Sequence, residues 1–173
     1  YASAGQANEL LVSLRPTGAL QISIKNVSQA TANTYSQLLD GNAHRISITW
    51  DKATGALVFY IDGAAVETFS GFETGAVIDT GGTLVLGMDQ DSVDGGYVYD
   101  QVLAGTLYDV RIFNTVRSAA QIAASHDADL PRFESGLVAN WKFDDLSDDN
   151  VVTEAVSGYD LTVAHAAGSN FAT

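Results

Sequence analysis

The chain has no cysteine among its 173 residues. It therefore builds no disulfide framework, no thiolate metal cage and no cysteine nucleophile. A chain of this length can bury a core without such staples, so the missing thiols leave its compartment undecided. Basic residues are scarce: 8 Lys and Arg stand against 21 Asp and Glu, for a formal net charge of -13. An acidic surface repels phosphate backbones, which argues against nucleic acid as a partner. It also repels anionic membranes unless a cation bridges the two. Only Pro16 and Pro131 are present, both in stretches that read as loops. No run of about 18 apolar residues exists to insert into a bilayer, and no signal peptide is visible. Tyr1 is not a natural start, so the chain reads as part of a longer protein. The histidines His44, His126 and His165 are scattered, and no Ser/His/Asp arrangement has support.

What is present is strand-forming. Hydrophobic residues make up 46% of the chain, enough for a core and too much for disorder. Period-two alternation recurs along it. Ile46, Ile48 and Trp50 fall on one face of a strand, with Arg45, Ser47 and Thr49 on the other. Leu57, Phe59 and Ile61 line the next strand. Asp62-Gly63 is a hairpin signal, because both central residues of a type I′ turn need positive φ. Ala64–Phe69 reads as the return strand. Further strands are expected at Glu9–Leu14, Leu20–Lys25, Thr83–Met88, Gly105–Phe113, Leu137–Phe143 and Gly158–Val163. One short late helix is expected from Ser118 to about Ser125, opened by the capping box Ser118-Ala119-Ala120-Gln121. Many short strands with a single helix predict an all-β fold of two packed antiparallel sheets.

The stretch that carries chemistry runs from Met88 to Gln101. Asp89 and Asp91 are two apart, Asp94 follows, and Asp100 and Gln101 close the segment. Gln90 offers a backbone carbonyl between two carboxylates, and Gly95-Gly96 lets a loop turn its oxygens inward. Calcium takes about six to eight oxygen ligands from groups of this kind. The same spacing also describes a solvated acidic turn, and spacing alone leaves both readings open. An EF-hand does not fit, because Val93 and Gln101 stand where its pattern needs other residues. Tyr97 and Tyr99 lie beside the proposed ions, where they would stack on a sugar face or simply be exposed. Asp144, Asp145, Asp148 and Asp149 read as a solvated loop rather than a further ion site.

The order of these motifs resembles the pentraxin family, a branch of the concanavalin A-like and laminin G-like jelly rolls. The resemblance rests on Leu86–Ser92, then Gly95, Gln101, Gly105 and Asp109. It rests also on Tyr1-Ala2-Ser3 with Gln6 and Asn8–Leu11, on Trp50, Gly55 and Val58–Gly63, on Ser118–Ile122, and on Asn140-Trp141. It runs from Tyr1 to about Phe143. It implies a two-sheet antiparallel jelly-roll sandwich and two neighbouring calcium ions. The implied ligands are Asn8, Asp89, the Gln90 carbonyl, Asp91 and Gln101. Asp89 stands where the family usually has glutamate. Ala7 stands where it has aspartate before the asparagine, and Val98 replaces an acidic residue near the second ion. Asp94 and Asp100 are the candidates to make up the lost charge. Ser47 falls where the family has a cysteine, so its disulfide is absent.

The expectation is a jelly-roll domain over residues 1–143, with 144–173 either completing the sandwich or opening a following module. The Gly136–Val163 stretch resembles the opening of a laminin G-like unit. The expected function is calcium-dependent, lectin-like binding of a glycan or of a phosphate- or carboxylate-bearing ligand. The expected setting is a secreted or cell-surface protein, a microbial adhesin. One alternative is a spacer in a repetitive surface protein, with calcium only stiffening a loop. The other is a jelly-roll glycoside hydrolase. Such hydrolases need paired carboxylates, usually as E-x-D-x-x-E on one strand, and that pattern is missing here, so no enzymatic activity is expected. The sequence does not set an oligomeric state.

Overall fold

The structure, a computed structural model, describes residues 1–144 and 151–162, apart from the side chains of Val98 and Tyr99. The chain forms two compact units: Tyr1–Ala104 with Val116–Asp129, and Gly105–Thr115 with Leu130–Thr173. In the first, β1 (Leu10–Leu14), β2 (Leu20–Ile24) and β3 (Val27–Ala30) make one three-stranded antiparallel sheet. A second three-stranded sheet holds β4 (Ile46–Asp51), β5 (Ala56–Ile61) and β6 (Ala64–Phe69). A hairpin of β7 (Met88–Ser92) and β8 (Gly95–Val102) follows.

The central strands of the two larger sheets share one core. Leu20, Ile22 and Ile24 of β2 cluster with Leu57, Phe59 and Ile61 of β5 and with Phe72. Alternate residues of a strand point the same way, so the period-two pattern itself assembles each face. Ile46, Ile48 and Trp50 of β4 pack onto this cluster as expected. Ile48 stands opposite Phe59 and Trp50 opposite Leu57. The Trp50 indole also donates to the Phe72 carbonyl at 2.9 Å, so its one polar atom is satisfied. Full burial of each large apolar side chain stabilises the fold by about 1.5–3 kcal/mol.

Asp62 and Gly63 both have positive φ, 50° and 81°, as the hairpin reading requires. Lys25 and Asn26 make a second such turn, at 49° and 64°, between β2 and β3. The helix α1 (Ala119–Ser125) opens on the expected capping box: the Gln121 amide donates to Ser118 Oγ, and the Ser118 amide to Gln121 Oε1. The strands pair antiparallel throughout, and the fold is an all-β jelly-roll class with one short helix among the described residues.

In the second unit, β9 (Val110–Phe113) pairs with β10 (Leu137–Trp141), and β11 (Val151–Val152) with β12 (Leu161–Thr162). Trp141 is buried, and its indole donates to the Tyr159 carbonyl at 2.7 Å. Glu154 is buried among backbone N–H groups, accepting from Asn140 (2.6 Å), Val156 and Gly158 (both 2.8 Å), and from Ser157. Burial pushes its carboxyl up, but these donors outweigh it and hold it below the usual glutamate value.

Two strand expectations need correcting. No strand forms over Thr83–Met88: Thr83 makes only an isolated bridge to Ala2, and pairing resumes at Met88. Leu84–Leu86 bury part of their surface with no neighbouring ladder to join, and Gly87 turns the chain away at φ 86°. The strand expected over Gly105–Phe113 is limited to Val110–Phe113. His165 and Val163 lie outside the described residues.

A pH response arises at the start of β4. His44 Nδ1 lies 2.7 Å from Asp62 Oδ2, and Nε2 lies 3.3 Å from Asp40 Oδ1. The Asp62 hydrogen bond chiefly, with Asp40 behind it, raises the His44 pKa above its ordinary 6.5. The charged form is thus favoured by folding. Its stabilisation is complete below the unfolded value and is lost as pH rises through the folded one. Between about pH 6 and 8 the wild type should lose stability that His44→Asn does not, as read by paired urea titrations. Parallel curves for the two proteins would refute the assignment.

Candidate metal centre

Met88–Gln101 is not the open loop the sequence suggested but the β7–β8 hairpin. Gln90 pairs with Tyr97 and Ser92 with Gly95. Pairing in the ladder engages backbone groups that an open loop would leave free, while a paired carbonyl keeps a second lone pair. Asp94 and Gly96 reverse the chain at φ 52° and 63°. At Gly96 a Cβ would stand 3.0 Å from Ser92 N and 3.1 Å from Asp91 N, so glycine alone fits.

Strand geometry then sorts the candidates. Asp89 and Asp91 share one face of β7, while the Gln90 side chain takes the other and is 2% exposed. The register slips between Met88 and Asp89, which face Val102 and Val98. Tyr99, Asp100 and Gln101 are the surplus residues at that end of the hairpin. Asp91, Asp94, Asp100 and Gln101 are exposed; Asp89 and Tyr97 are half-buried. The Tyr99 side chain lies outside the described residues, as do Asp145, Asp148 and Asp149, whereas Asp144 is exposed.

The opposite wall is the segment before β1. Ser3 and Gln6 exchange backbone hydrogen bonds of 3.0 and 3.1 Å around Gly5. The Lys25-Asn26 turn grips Asn8 on both sides: the Asn8 amide donates to Asn26 Oδ1 at 3.1 Å, and the Asn26 amide to the Asn8 carbonyl at 3.0 Å. Asn26 Nδ2 also donates to Gln6 Oε1 at 2.6 Å. Glu9 is 0% exposed, paired with Lys25 at 3.2 Å and accepting from Ser3 Oγ at 3.0 Å and the Asp79 amide at 2.6 Å. Between the walls lies a cleft of about 380 Å³, lined by Ser3–Ala7 on one side and Asp91–Val93 on the other. Ala7, where the resemblance implies an aspartate, therefore lines the same cleft as Asp91.

Among the described residues, the side-chain oxygens Asn8 Oδ1 and Gln90 Oε1 are buried without a hydrogen-bond partner. Leaving such a group unsatisfied costs about 1–3 kcal/mol. Among the described residues no three His, Cys, Asp or Glu side chains converge, so no carboxylate cage is preformed. The donors on offer are an unpaired amide oxygen, the Asp89 and Asp91 carboxylates, a backbone carbonyl at Gln90 and the Gln101 amide. An all-oxygen set with few charges and room for water suits calcium rather than a softer metal. On the orphaned Asn8 oxygen, the residues fit that ion. The Asp94 carboxylate is engaged elsewhere, accepting the Thr83 hydroxyl at 2.7 Å.

Sequence reasoning did not single out Glu9, Asn26 or Thr83. Lys25-Asn26 between two alternating runs is a turn signal without glycine. A buried glutamate carries no local signal, and the role of Thr83 exists only in three dimensions.

A profile of the Pentaxin family matches residues 1–153. The chain is 32% identical over 123 residues to C-reactive protein 1.4 of Limulus polyphemus, covering 70% of this chain and 51% of that one. It is 35% identical over 86 residues to human Pentraxin-4, covering 50% of this chain and 18% of that one. A rat Sushi, von Willebrand factor type A, EGF and pentraxin domain-containing protein 1 is 33% identical over 119 residues, 62% of this chain and 3% of its own length. The chain thus spans about half the length of the Limulus protein and a small part of the others.

Proposed function

The chain belongs to the pentaxin family, whose members are calcium-dependent ligand-binding proteins, and from that premise we propose that it is a calcium-dependent binding module of a secreted or cell-surface protein. The observation that carries this is the buried, unpartnered Asn8 Oδ1, one residue after the Ala7 that lines a cleft with Asp91. Asn8, Asp89, the Gln90 carbonyl, Asp91 and Gln101 would hold the ion, with Asp91 serving both positions if two ions bind. Asp100 would supply charge at the Gln101 end.

Bound calcium supplies open coordination positions that ligand oxygens fill. The protein's own share is to hold those donors in place and to favour cations through its acidic surface. The ligand class is a glycan or a phosphate- or carboxylate-bearing molecule, because only oxygen-rich groups fill such positions well. Tyr97 and Tyr99 would flank it as stacking surfaces. The acidic balance suits a microbial surface protein acting as an adhesin. No helix among the described residues is long and apolar enough to cross a membrane. The relatives give the hydrolase alternative no support.

Calcium bound only by the native state stabilises it by about 2.7 kcal/mol at a hundredfold excess over Kd. The melting temperature should rise by about 5–10 °C in millimolar calcium and return with chelator. A glycan array read with and without chelator should show calcium-dependent spots. A melting curve indifferent to calcium would remove the metal reading, and stabilisation without any calcium-dependent ligand would favour the spacer.

A further inference from the structure

The two walls of the cleft come from distant parts of the sequence, and one residue ties both. We propose that Thr83 is a positioning residue: it fixes the gap between the Ser3–Ala7 wall and the Asp91–Val93 wall, and Asp94 serves as its clamp rather than as a calcium ligand. The inference rests on the calcium reading above.

Thr83 uses nearly all its polar capacity on this task. Its amide donates to the Ala2 carbonyl at 3.1 Å, and its carbonyl accepts from the Ala2 amide at 3.2 Å. Ala2 is the residue immediately before the first wall. The same carbonyl accepts from Gln90 Nε2, and Gln90 immediately precedes Asp91. The Thr83 hydroxyl donates to Asp94 Oδ1 at 2.7 Å and accepts from the Asp94 amide at 3.2 Å. Asp94 immediately follows the second wall and reaches Thr83 from a left-handed backbone, φ 52°. Gly82 permits the arrangement, because a Cβ there would collide with the Ala2 carbonyl oxygen.

The physical need for the clamp is electrostatic. Asp89, Asp91 and Asp94 crowd one hairpin, and without a cation like charges drive it outward. Turning the Asp94 carboxylate onto a hydroxyl uses one of those charges to pin the hairpin tip. The Asp91 wall is then held opposite the Ser3–Ala7 wall before any ion arrives. Less ordering remains to be done on binding, and affinity rises accordingly.

Three variants test the assignment by calorimetric calcium titration, with melting in chelator and circular dichroism confirming that each is folded. Thr83→Val keeps the shape and the backbone bridge to Ala2 but loses both hydroxyl bonds. It should weaken calcium binding about 10- to 100-fold, the usual loss when an outer-shell partner of a metal site is removed. Thr83→Ser restores the hydroxyl and should bind within about threefold of wild type. Asp94→Asn keeps an oxygen for the hydroxyl while losing the charge, so it too should stay within about threefold. Wild-type affinity in Thr83→Val overturns the positioning role. A loss in Asp94→Asn as large as in Thr83→Val overturns the clamp, because Asp94 then acts through its charge as a ligand. If the wild type binds no calcium, the calcium reading itself fails and this inference with it; a binding wild type with an unaffected Thr83→Val refutes the inference alone.

Discussion

Phe59→Ala is expected to lower the unfolding free energy by about 3–5 kcal/mol, the usual loss for a fully buried aromatic. Phe59 is 0% exposed and sits mid-strand in β5, between Ile48 of β4 and Glu67 of β6. Its ring meets that of Phe69 edge-on, with centroids 6.0 Å apart and planes at 84°. Truncation removes the transfer free energy of the ring, leaves a cavity among Leu20, Ile22, Ile24, Leu57 and Ile61, and deletes the aromatic pair. A marginally stable domain holds only about 5–15 kcal/mol in total, so the variant should melt far below the wild type. Urea titration should show a lower midpoint at an unchanged slope. Val12→Ala is the matched control: Val12 is 52% exposed on β1 and should change stability by no more than about 0.5 kcal/mol. A loss below about 1 kcal/mol for Phe59→Ala would mean that β5 does not carry the shared core.

The same strands show why part of this molecule could be read from its sequence. Leu57, Phe59 and Ile61 recur at every second position because one face of β5 meets the shared core, although Tyr60 on the other face is buried too, and burial of that core face writes a period of two into the chain. Asp62-Gly63 and Ser118–Gln121 are legible because their backbone geometry depends on the residues themselves. The β7–β8 hairpin leaves no such trace. Met-Asp-Gln-Asp-Ser has mostly polar side chains and buries mainly Gln90, so its alternation runs opposite to a hydrophobic pattern. Leu84–Leu86 mislead in the other direction, since apolar residues can be half-buried without joining a ladder.

The candidate site divides in the same way. Asp89, Asp91, their carbonyl neighbour and Gln101 could be proposed from spacing, and Asn8 only from the family resemblance. Spacing could not say that Asp94 faces Thr83, that Asn26 holds Asn8 from both sides, or that Asn8 Oδ1 is left unpaired. Those facts depend on contacts between residues 11 and 18 positions apart, which no local pattern encodes.

Asp91→Ala should remove calcium binding, weakening it by at least about 100-fold, which is about 2.7 kcal/mol. Asp91 is the carboxylate on the cleft itself and the proposed shared ligand. Being exposed, it contributes little to the apo fold. In chelator the variant should therefore melt within about 1 °C of wild type or slightly above it, because one of several crowded like charges is gone. The complementary variant, Ala7→Asp, should act with opposite signs in the two conditions. Ala7 lines the cleft facing Asp91 on a backbone already fixed by the Ser3–Gln6 turn and by the grip of Asn26 on Asn8. A carboxylate there would point into the cleft with little reorganisation, and more anionic oxygens mean tighter calcium binding. Affinity should rise by about tenfold, equivalent to about 1.4 kcal/mol. Without calcium the added charge repels Asp91 across the cleft in a protein already at -13. The apo melting temperature should then fall, and by less at high salt, where screening shortens the reach of that repulsion. Both variants are read by calorimetric titration at one ionic strength, beside melting curves in calcium and in chelator. Wild-type affinity and stoichiometry in Asp91→Ala would show that the cleft is not where calcium binds. A fall or no change in affinity for Ala7→Asp would show that the wall of the cleft is not a ligand position in this chain.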